Sequence, residues 1–428
     1  VSQIPPANQP VPETEPPRRR VAGIKSLVLT IAFVFLLIVA MLLDIPYLYI
    51  MAIALALLQP VSYTLASRFA PRYTAQRHLP ATAVEGKPFP MELAVQVRGG
   101  LPQGAVALRD PLPVSMQLEP SLDPPVLRDP EAWDGNLGKW SSTLTAPVRG
   151  LHRFEDVRME ATDPLGLFFF ESRIPCPGEI VVHPCPVPSR TPRAGGAGWR
   201  GLRDRDGSAR RGEGLDFHGV RDYRPGDPSR RVHWRTTARR GTLAVVEFEK
   251  AFQQDVCLVI DHGVGFPEGE GRETPLEYAV KAAATRVDQV LSTGGGITLV
   301  TGSGAVRVRA GEPDVDVGRF RLMDVLARLQ PESTCKPGRM VRSLLDRESA
   351  EIEVLTCRSD SDLEDALAHG VRQGHAVRVV WFDPASFGGE VARAPALSGV
   401  AVCRMSRSDS PWRDGGRRFL ACLDGHGD

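Results

Sequence analysis

Closely spaced cysteine pairs are missing from this sequence: the 7 cysteines, Cys176, Cys185, Cys257, Cys335, Cys357, Cys403 and Cys422, are odd in number and scattered. That excludes the paired ligands of a structural zinc site and suggests a reducing compartment. Cys257 and Cys403 sit inside apolar runs and read as small buried hydrophobes. An excess of charge of one sign is also missing. With Lys+Arg 52 against Asp+Glu 51, the formal net charge is +1, which argues against a surface built wholesale for nucleic acid. The chain has no Walker A glycine loop ending in Lys-Ser or Lys-Thr, no zinc-protease helix with a His-Glu pair and no Gly-x-Ser-x-Gly elbow. Those absences argue against ATP hydrolysis by this chain alone, zinc proteolysis and serine hydrolysis.

What the sequence does contain is size and ordinary globular composition. Its 428 residues exceed what one core supports, and 42% hydrophobic with 24% charged residues fits neither bulk disorder nor a polytopic transporter. Two or more folded units are expected.

Residues 1–25 read as a disordered tail, proline-rich up to Pro17 and then basic through Arg18, Arg19, Arg20 and Lys25. From Ser26 to Leu43 no charge interrupts a run of Leu, Ile, Val, Phe and Ala. A second run starts at Ile45 and weakens through Gln59-Pro60. Together residues 26–66 are read as two transmembrane helices, each near the ~20 residues that cross a hydrocarbon core. A cleaved signal peptide would be shorter and end at small residues, whereas the first run ends at Asp44-Ile45-Pro46. The turn carries only Asp44, while Arg68, Arg72 and Arg77 follow the second run. Basic outer flanks keep both ends in the cytoplasm. This predicts a cell-membrane hairpin with a cytoplasmic body. Two other arrangements compete with it: a second run that fails to span, which would place the body outside, and buried helices of a soluble core.

Residues 78–188 alternate short apolar segments with Pro and Gly turns, as in Met91-Glu92-Leu93-Ala94-Val95-Gln96-Val97, and predict an all-β sandwich module. It is either a partner surface or a spacer. Residues 189–213 form a Gly- and Arg-rich linker. Residues 214–428 then alternate strands and helices: the apolar run Val256 to Ile260 ends in Asp261, Thr274-Pro275-Leu276-Glu277 opens a helix, and Ser361-Asp362-Leu363-Glu364 opens another. That alternation predicts a doubly wound, mainly parallel α/β domain, with one antiparallel hairpin over Ile297 to Val308.

The densest local signal runs from Arg221 to Trp234: Arg221-Asp222-Tyr223-Arg224-Pro225-Gly226-Asp227-Pro228-Ser229-Arg230-Arg231-Val232-His233-Trp234. Pro225 and Gly226 fit the centre of a type II turn, and Asp227 fits the cap of a helical turn that starts at Pro228. A stiff elbow is expected, with Trp234 packed beneath it, followed by a strand from Leu243 to Phe248.

The sequence here resembles the family catalogued as domain of unknown function 58. The resemblance rests on Gly214-Leu215-Asp216-Phe217, Arg221 to Asp227, Val232-His233-Trp234, Ala238-Arg239 and Glu247-Phe248-Glu249, a signature over 214–249. The order of parts matches too, including Asp163-Pro164-Leu165-Gly166-Leu167-Phe168 near the end of the β-module. The resemblance implies a von Willebrand factor A-like α/β domain and a MoxR-type AAA+ ATPase as partner, with the chain as adaptor or co-chaperone. Its signature residues Arg221, Tyr223, Pro225, Gly226, Asp227, Arg231, His233, Trp234 and Arg239 are the candidate partner-binding positions.

Domains of that similarity hold a metal with a strand-end Asp and two hydroxyl residues spaced one apart, because Mg²⁺ takes hard oxygen ligands in an octahedron. The corresponding stretch is Asp261-His262-Gly263-Val264-Gly265, with glycine at both hydroxyl positions. Asp261 is the only metal candidate, with Ser359 or Asp360 as its possible neighbours; no cofactor is expected. His233 with Asp227 and Arg231 could be drawn as a hydrolytic acid/base cluster, against mutual hydrogen bonding that holds the elbow. The arginines from 190 to 240 are interspersed with Asp204, Asp206, Glu213, Asp216, Asp222 and Asp227. They fit an internally paired surface or a dock for an acidic protein better than a polyanion site. The expectation is therefore a non-catalytic membrane-anchored adaptor, with a metal-dependent adhesion-type module and a hydrolase as alternatives.

Overall fold

The computed structural model describes residues 19–22, 24–68, 72–98, 106–113, 117–119, 126–128, 132–134, 137–162, 165–188, 211–223, 232–249, 255–264, 271–333, 335–346 and 351–424. They form two compact units, Val1–His183 and Pro184–Asp428.

The first unit opens with strand β1 (Arg19–Ala22) and two helices, α1 (Ile24–Leu43) and α2 (Pro46–Arg68). Each helix supplies a 20-residue apolar stretch, Ile24–Leu43 and Pro46–Leu65, long and apolar enough to cross a membrane. Leu27, Ile31, Phe35, Ile38, Tyr47, Ile50 and Ile53 point outward, whereas helices of a soluble core would bury such side chains. The residues buried along them are small, Ser26, Ala40, Ala52 and Ser62, which fits close packing of helices in lipid. Gln59, polar inside the second stretch, donates from Nε2 to the Ser26 carbonyl and to Thr30 Oγ1, both at 3.0 Å. The tail expected over residues 1–25 ends earlier than that. Arg19–Ala22 pair with Phe168–Glu171 of a later strand, and Ile24 already begins α1.

Ten strands follow: β2 (Arg72–His78), β3 (Thr82–Val84), β4 (Pro88–Arg98), β5 (Val106–Arg109), β6 (Gln117–Glu119), β7 (Val126–Arg128), β8 (Ala132–Asp134), β9 (Leu137–Thr145), β10 (Gly150–Thr162) and β11 (Phe168–His183). One sheet runs β1-β11-β10-β5-β7 with β3 beside β11, and the other runs β2-β4-β9-β6 with β8 beside β9. In β4 the period of two is plain: Phe89, Met91, Leu93 and Val95 are buried, while Pro90, Glu92 and Gln96 are exposed. Leu93, Val95 and Trp140 of one sheet pack with Val157, Met159 and Ile174 of the other in a shared core. Arg77, counted above among the basic flank residues, is instead inside. Its Nη2 lies 2.6 Å from Asp110 Oδ1, its Nη1 donates to the Cys176 carbonyl at 2.8 Å, and both side chains are shut off from solvent. Burial pushes the Asp110 carboxyl up while the Arg77 guanidinium pulls it down.

The second unit contains a two-stranded sheet and a six-stranded one. The small sheet pairs β12 (Arg211–Asp222) with β13 (Ala244–Glu249), and the short helix α3 (Trp234–Arg240) lies between them in sequence. β12 therefore begins inside the stretch expected to be linker. The large sheet comprises β14 (Asp255–Ile260), β15 (Gly296–Thr301), β16 (Gly304–Arg309), β17 (Glu351–Thr356), β18 (Ala376–Phe382) and β19 (Val400–Met405), in the order β16-β15-β14-β17-β18-β19. All neighbours are parallel except β15 and β16, the hairpin at one edge.

Helices α4 (Pro275–Ser292), α5 (Val315–Arg328), α6 (Pro337–Arg342), α7 (Ser361–Arg372) and α8 (Arg417–Leu423) accompany the sheet. Successive residues of β14 serve opposite faces. Val256, Leu258 and Ile260 join Leu276, Val280, Ala283 and Val287 of α4, while Cys257 and Val259 join Met340 and Val341 of α6 and Leu363 and Leu367 of α7. Burial on both faces explains the unbroken apolar run in sequence.

Thr274 Oγ1 accepts the Glu277 amide at 3.1 Å, with Pro275 in the first turn of α4. α7 is capped one residue earlier than its sequence suggests. Asp360 Oδ1 accepts the Leu363 amide at 2.7 Å, and Ser359 donates to Glu364 at 2.8 Å. α6 and α8 lack the length that makes a helical period readable and were not anticipated.

Candidate functional site

Two places in the second unit gather the residues singled out by sequence. The first is α3. His233 caps it: Nδ1 accepts the Thr236 amide at 3.3 Å and lies 2.7 Å from Thr236 Oγ1, while the His233 amide donates to Ala244 of β13 at 2.8 Å. Tyr223 donates its amide to the Leu243 carbonyl at 2.8 Å, and Ala244 donates its own to Thr237 Oγ1 at 3.1 Å. Gly241 ends the helix in the left-handed region at φ 69°, where a side chain would be strained, and donates to the Thr237 carbonyl at 2.9 Å. The helix is thus held to β13 at Ala244, through His233 at its start and Thr237 in its middle.

Its sides bury nothing. Trp234 is 67% exposed, and Arg235, Arg239 and Arg240 are exposed beside it. The expectation that Trp234 packs under an elbow is corrected: it occupies the first position of a seven-residue helix whose residues all remain out of the core. Arg221 pairs along β12 with Val245. Pro225, Gly226, Asp227 and Arg231 lie outside the described residues, together with the turn and helix start expected there. The hydrolytic pairing of His233 with Asp227 therefore has one described member, and its Nδ1 serves as a helix cap.

The second place is the crevice between the carboxyl ends of β14 and β17. There the sheet order departs in both directions from β14, the position where open α/β sheets form their ligand crevices. Asp261 is fully buried there. Its Oδ2 accepts from Thr356 Oγ1 at 2.7 Å and from Arg358 Nε at 3.1 Å; Oδ1 accepts from the Gly263 amide at 3.1 Å and from Arg358 Nη2. Arg358 also donates from Nη1 to the Val264 carbonyl at 3.1 Å, and its side chain is 33% exposed. A bidentate guanidinium thus sits on the strand-end carboxylate.

These residues do not fit Mg²⁺. Both carboxylate oxygens are taken, the nearest side chain is itself cationic, and a Cβ at Gly263 would stand 2.0 Å from Arg358 Nη2. Glycine, where a hydroxyl ligand would be needed, makes room for the arginine. Ser359 and Asp360, the neighbours expected for Asp261, are engaged with Glu364 and Leu363 instead. Thr356 and Arg358 are the partners that sequence reasoning missed; their place at the end of a buried strand, level with Asp261, was the available signal.

The residues beside Asp261 are buried with it. His262 is buried, its Nε2 accepting the Gly302 amide at 2.8 Å and its Nδ1 facing the Gln330 carbonyl at 2.9 Å. Those partners use Nε2 as the acceptor and point Nδ1 at a carbonyl. Burial pushes the Cys335 thiol up to about 11 and the Cys357 thiol to about 12, the charge of Asp261 adding to both.

The second unit is therefore a mixed α/β domain with an exposed tryptophan-arginine helix and an arginine-filled crevice, preceded by β-rich sheets and two apolar helices. Residues 219–373, from β12 to the end of α7, match the family model described as Protein of unknown function DUF58, so the chain carries a domain of that family. A relative, the "Uncharacterized protein YeaD" of Bacillus subtilis, is 26% identical over 167 residues. That match spans 38% of this chain and 38% of the relative's length. Among solved structures, the CARDB domain of a Pyrococcus furiosus protein covers 26% of this chain and 88% of its own at 11% identity. A conjugative transposon lipoprotein of Bacteroides eggerthii covers 24% and 95% at 13% identity. Both have a TM-score of 0.16, which carries no argument about fold or function.

Proposed function

We propose that the chain is a membrane-anchored, non-catalytic adaptor whose α/β body lies in the cytoplasm and binds a protein partner, a MoxR-type AAA+ ATPase being the one the family resemblance points to. Two apolar helices with Arg18, Arg19 and Arg20 before them, Lys25 in the first turn of α1, Arg68 at the end of α2 and Arg72 beyond it support the cytoplasmic placement. The β-rich sheets, read as a sandwich, follow those helices in sequence and precede the α/β body.

The observation that carries the binding role is Trp234, 67% exposed on a helix that buries no residue and presents Arg235, Arg239 and Arg240. Tryptophan and arginine are the residues that most often dominate protein interfaces, and an isolated large aromatic held in water by a capped helix suits an anchor for a partner pocket. A von Willebrand factor A-like reading of the sheet agrees with the crevice at Asp261. In that reading the Arg358 guanidinium, paired with Asp261, occupies the place that a metal holds elsewhere.

The test uses the full chain reconstituted in lipid nanodiscs and a purified MoxR-type ATPase. Trp234→Ala should weaken their association by at least tenfold, in line with a loss of about 2 kcal/mol or more for a buried interface anchor, while the circular dichroism spectrum is unchanged. Equal affinity for both proteins, or no association with either, contradicts the proposal.

A further inference from the structure

The segment Leu165-Gly166-Leu167, part of the motif noted near the end of the β-module, has no place in the partner-binding reading. It lies against the start of the helix hairpin. Together with Lys25, Val28, Leu29 and Leu58 it lines a cavity of about 420 Å³. Pockets of this size hold small molecules or single chains of a lipid. The wall is apolar except for Lys25, an exposed residue that forms no ion pair among the described residues. Gly166 turns there at φ +64°, and a Cβ on it would come within 3.2 Å of Lys25 Nζ, so the glycine leaves the amine its position at the rim. Leu167 is buried, whereas Leu165 is 46% exposed beside it.

The surroundings say what covers this groove. Its helical wall continues into Leu27, Val28 and Ile31, which are exposed along α1. In a bilayer those side chains meet acyl chains, and the first turn of the helix lies at headgroup level, where a lysine finds phosphate. We propose that the groove is a site for one acidic membrane phospholipid, with an acyl chain along Val28, Leu29, Leu58 and Leu165 and the headgroup phosphate on Lys25 Nζ. The loop then serves as a lipid-bound contact between the β-rich sheets and the membrane surface. This rests on the reading of α1 and α2 as membrane spans.

The full chain, purified from membranes and placed in nanodiscs of phosphatidylcholine with or without phosphatidylglycerol, is released into native mass spectrometry and its retained lipid counted. One phosphatidylglycerol per chain is expected in preference to phosphatidylcholine. Lys25→Gln should reduce that preference three- to tenfold, Leu29→Trp should fill the groove and remove both lipids, and Lys87→Gln should change nothing. Unchanged retention in Lys25→Gln, a chain that takes inorganic phosphate but not the lipid, or a dimer that carries no lipid would each overturn the site. Carbonate extraction of the same membranes separates the premises: a chain released by carbonate overturns the membrane reading and the site with it, whereas a retained chain without the preference overturns the site alone.

Discussion

At the residue scale, a carboxylate as fully shut off from water as Asp261 must be protonated or matched, and Arg358 matches it with two donors while Thr356 and the Gly263 amide take the remaining lone pairs. Removing one member of such a pair strands the other. Arg358→Ala is therefore expected to destabilise the domain by roughly 3–5 kcal/mol, a fall in melting temperature of about 6–20 °C, read by thermal unfolding of the full chain in detergent. Gly263→Ser should also destabilise, by displacing the guanidinium that a Cβ there would meet at 2.0 Å. A melting temperature unaltered by either change would mean that Asp261 does not depend on the arginine. The neighbouring thiols predict a pH dependence. Their folded values, about 11 for Cys335 and about 12 for Cys357, lie above the ordinary 9.0, so folding favours the protonated thiol. The stability they contribute is complete below pH 9 and declines as pH rises toward and through the folded values. Denaturation midpoints from pH 7 to 11 should fall on the alkaline side, and Cys335→Ala with Cys357→Ala should flatten that decline.

At the scale of elements, legibility followed burial. Strand β14 and helix α4 were readable because every residue of Val256–Ile260 is apolar and because Thr274, Pro275 and Glu277 sit in cap order. α6, with 6 residues, and α8, with 7, were not, since one or two turns hold too few positions for a period to show. The exposure of Trp234 was equally hidden: an indole reads as core by composition, yet here it stands at the first position of a short helix that buries no residue. The hairpin α1-α2 shows a polar device that hydropathy reports merely as weakness. Gln59 reaches back to the Ser26 carbonyl and Thr30, tying the two helices at one end. Gln59→Leu should lower the hairpin's resistance to SDS unfolding by about 0.6–2 kcal/mol even though it makes the helix more apolar. A more resistant variant would show that hydrophobicity outweighs the hydrogen bonds.

At the scale of the whole molecule, two apolar helices and two compact units were foreseeable from the distribution of charge and proline, while the contents of the crevice were not. The strand-end aspartate invites a metal, and the two glycines after it only weaken that idea; what sits on the carboxylate is an arginine 97 residues along the chain, which no local spacing reveals. The proposed function depends at this scale on the side of the membrane that the second unit occupies, because the proposed ATP-driven partner could meet Trp234 only in the cytoplasm. The direct measurement is trypsin digestion of the full chain in right-side-out and inside-out membrane vesicles, followed by detection of its C-terminal region. Protection in right-side-out vesicles and digestion in inside-out ones is the predicted result; digestion in right-side-out vesicles, with protection when they are inverted, would contradict it.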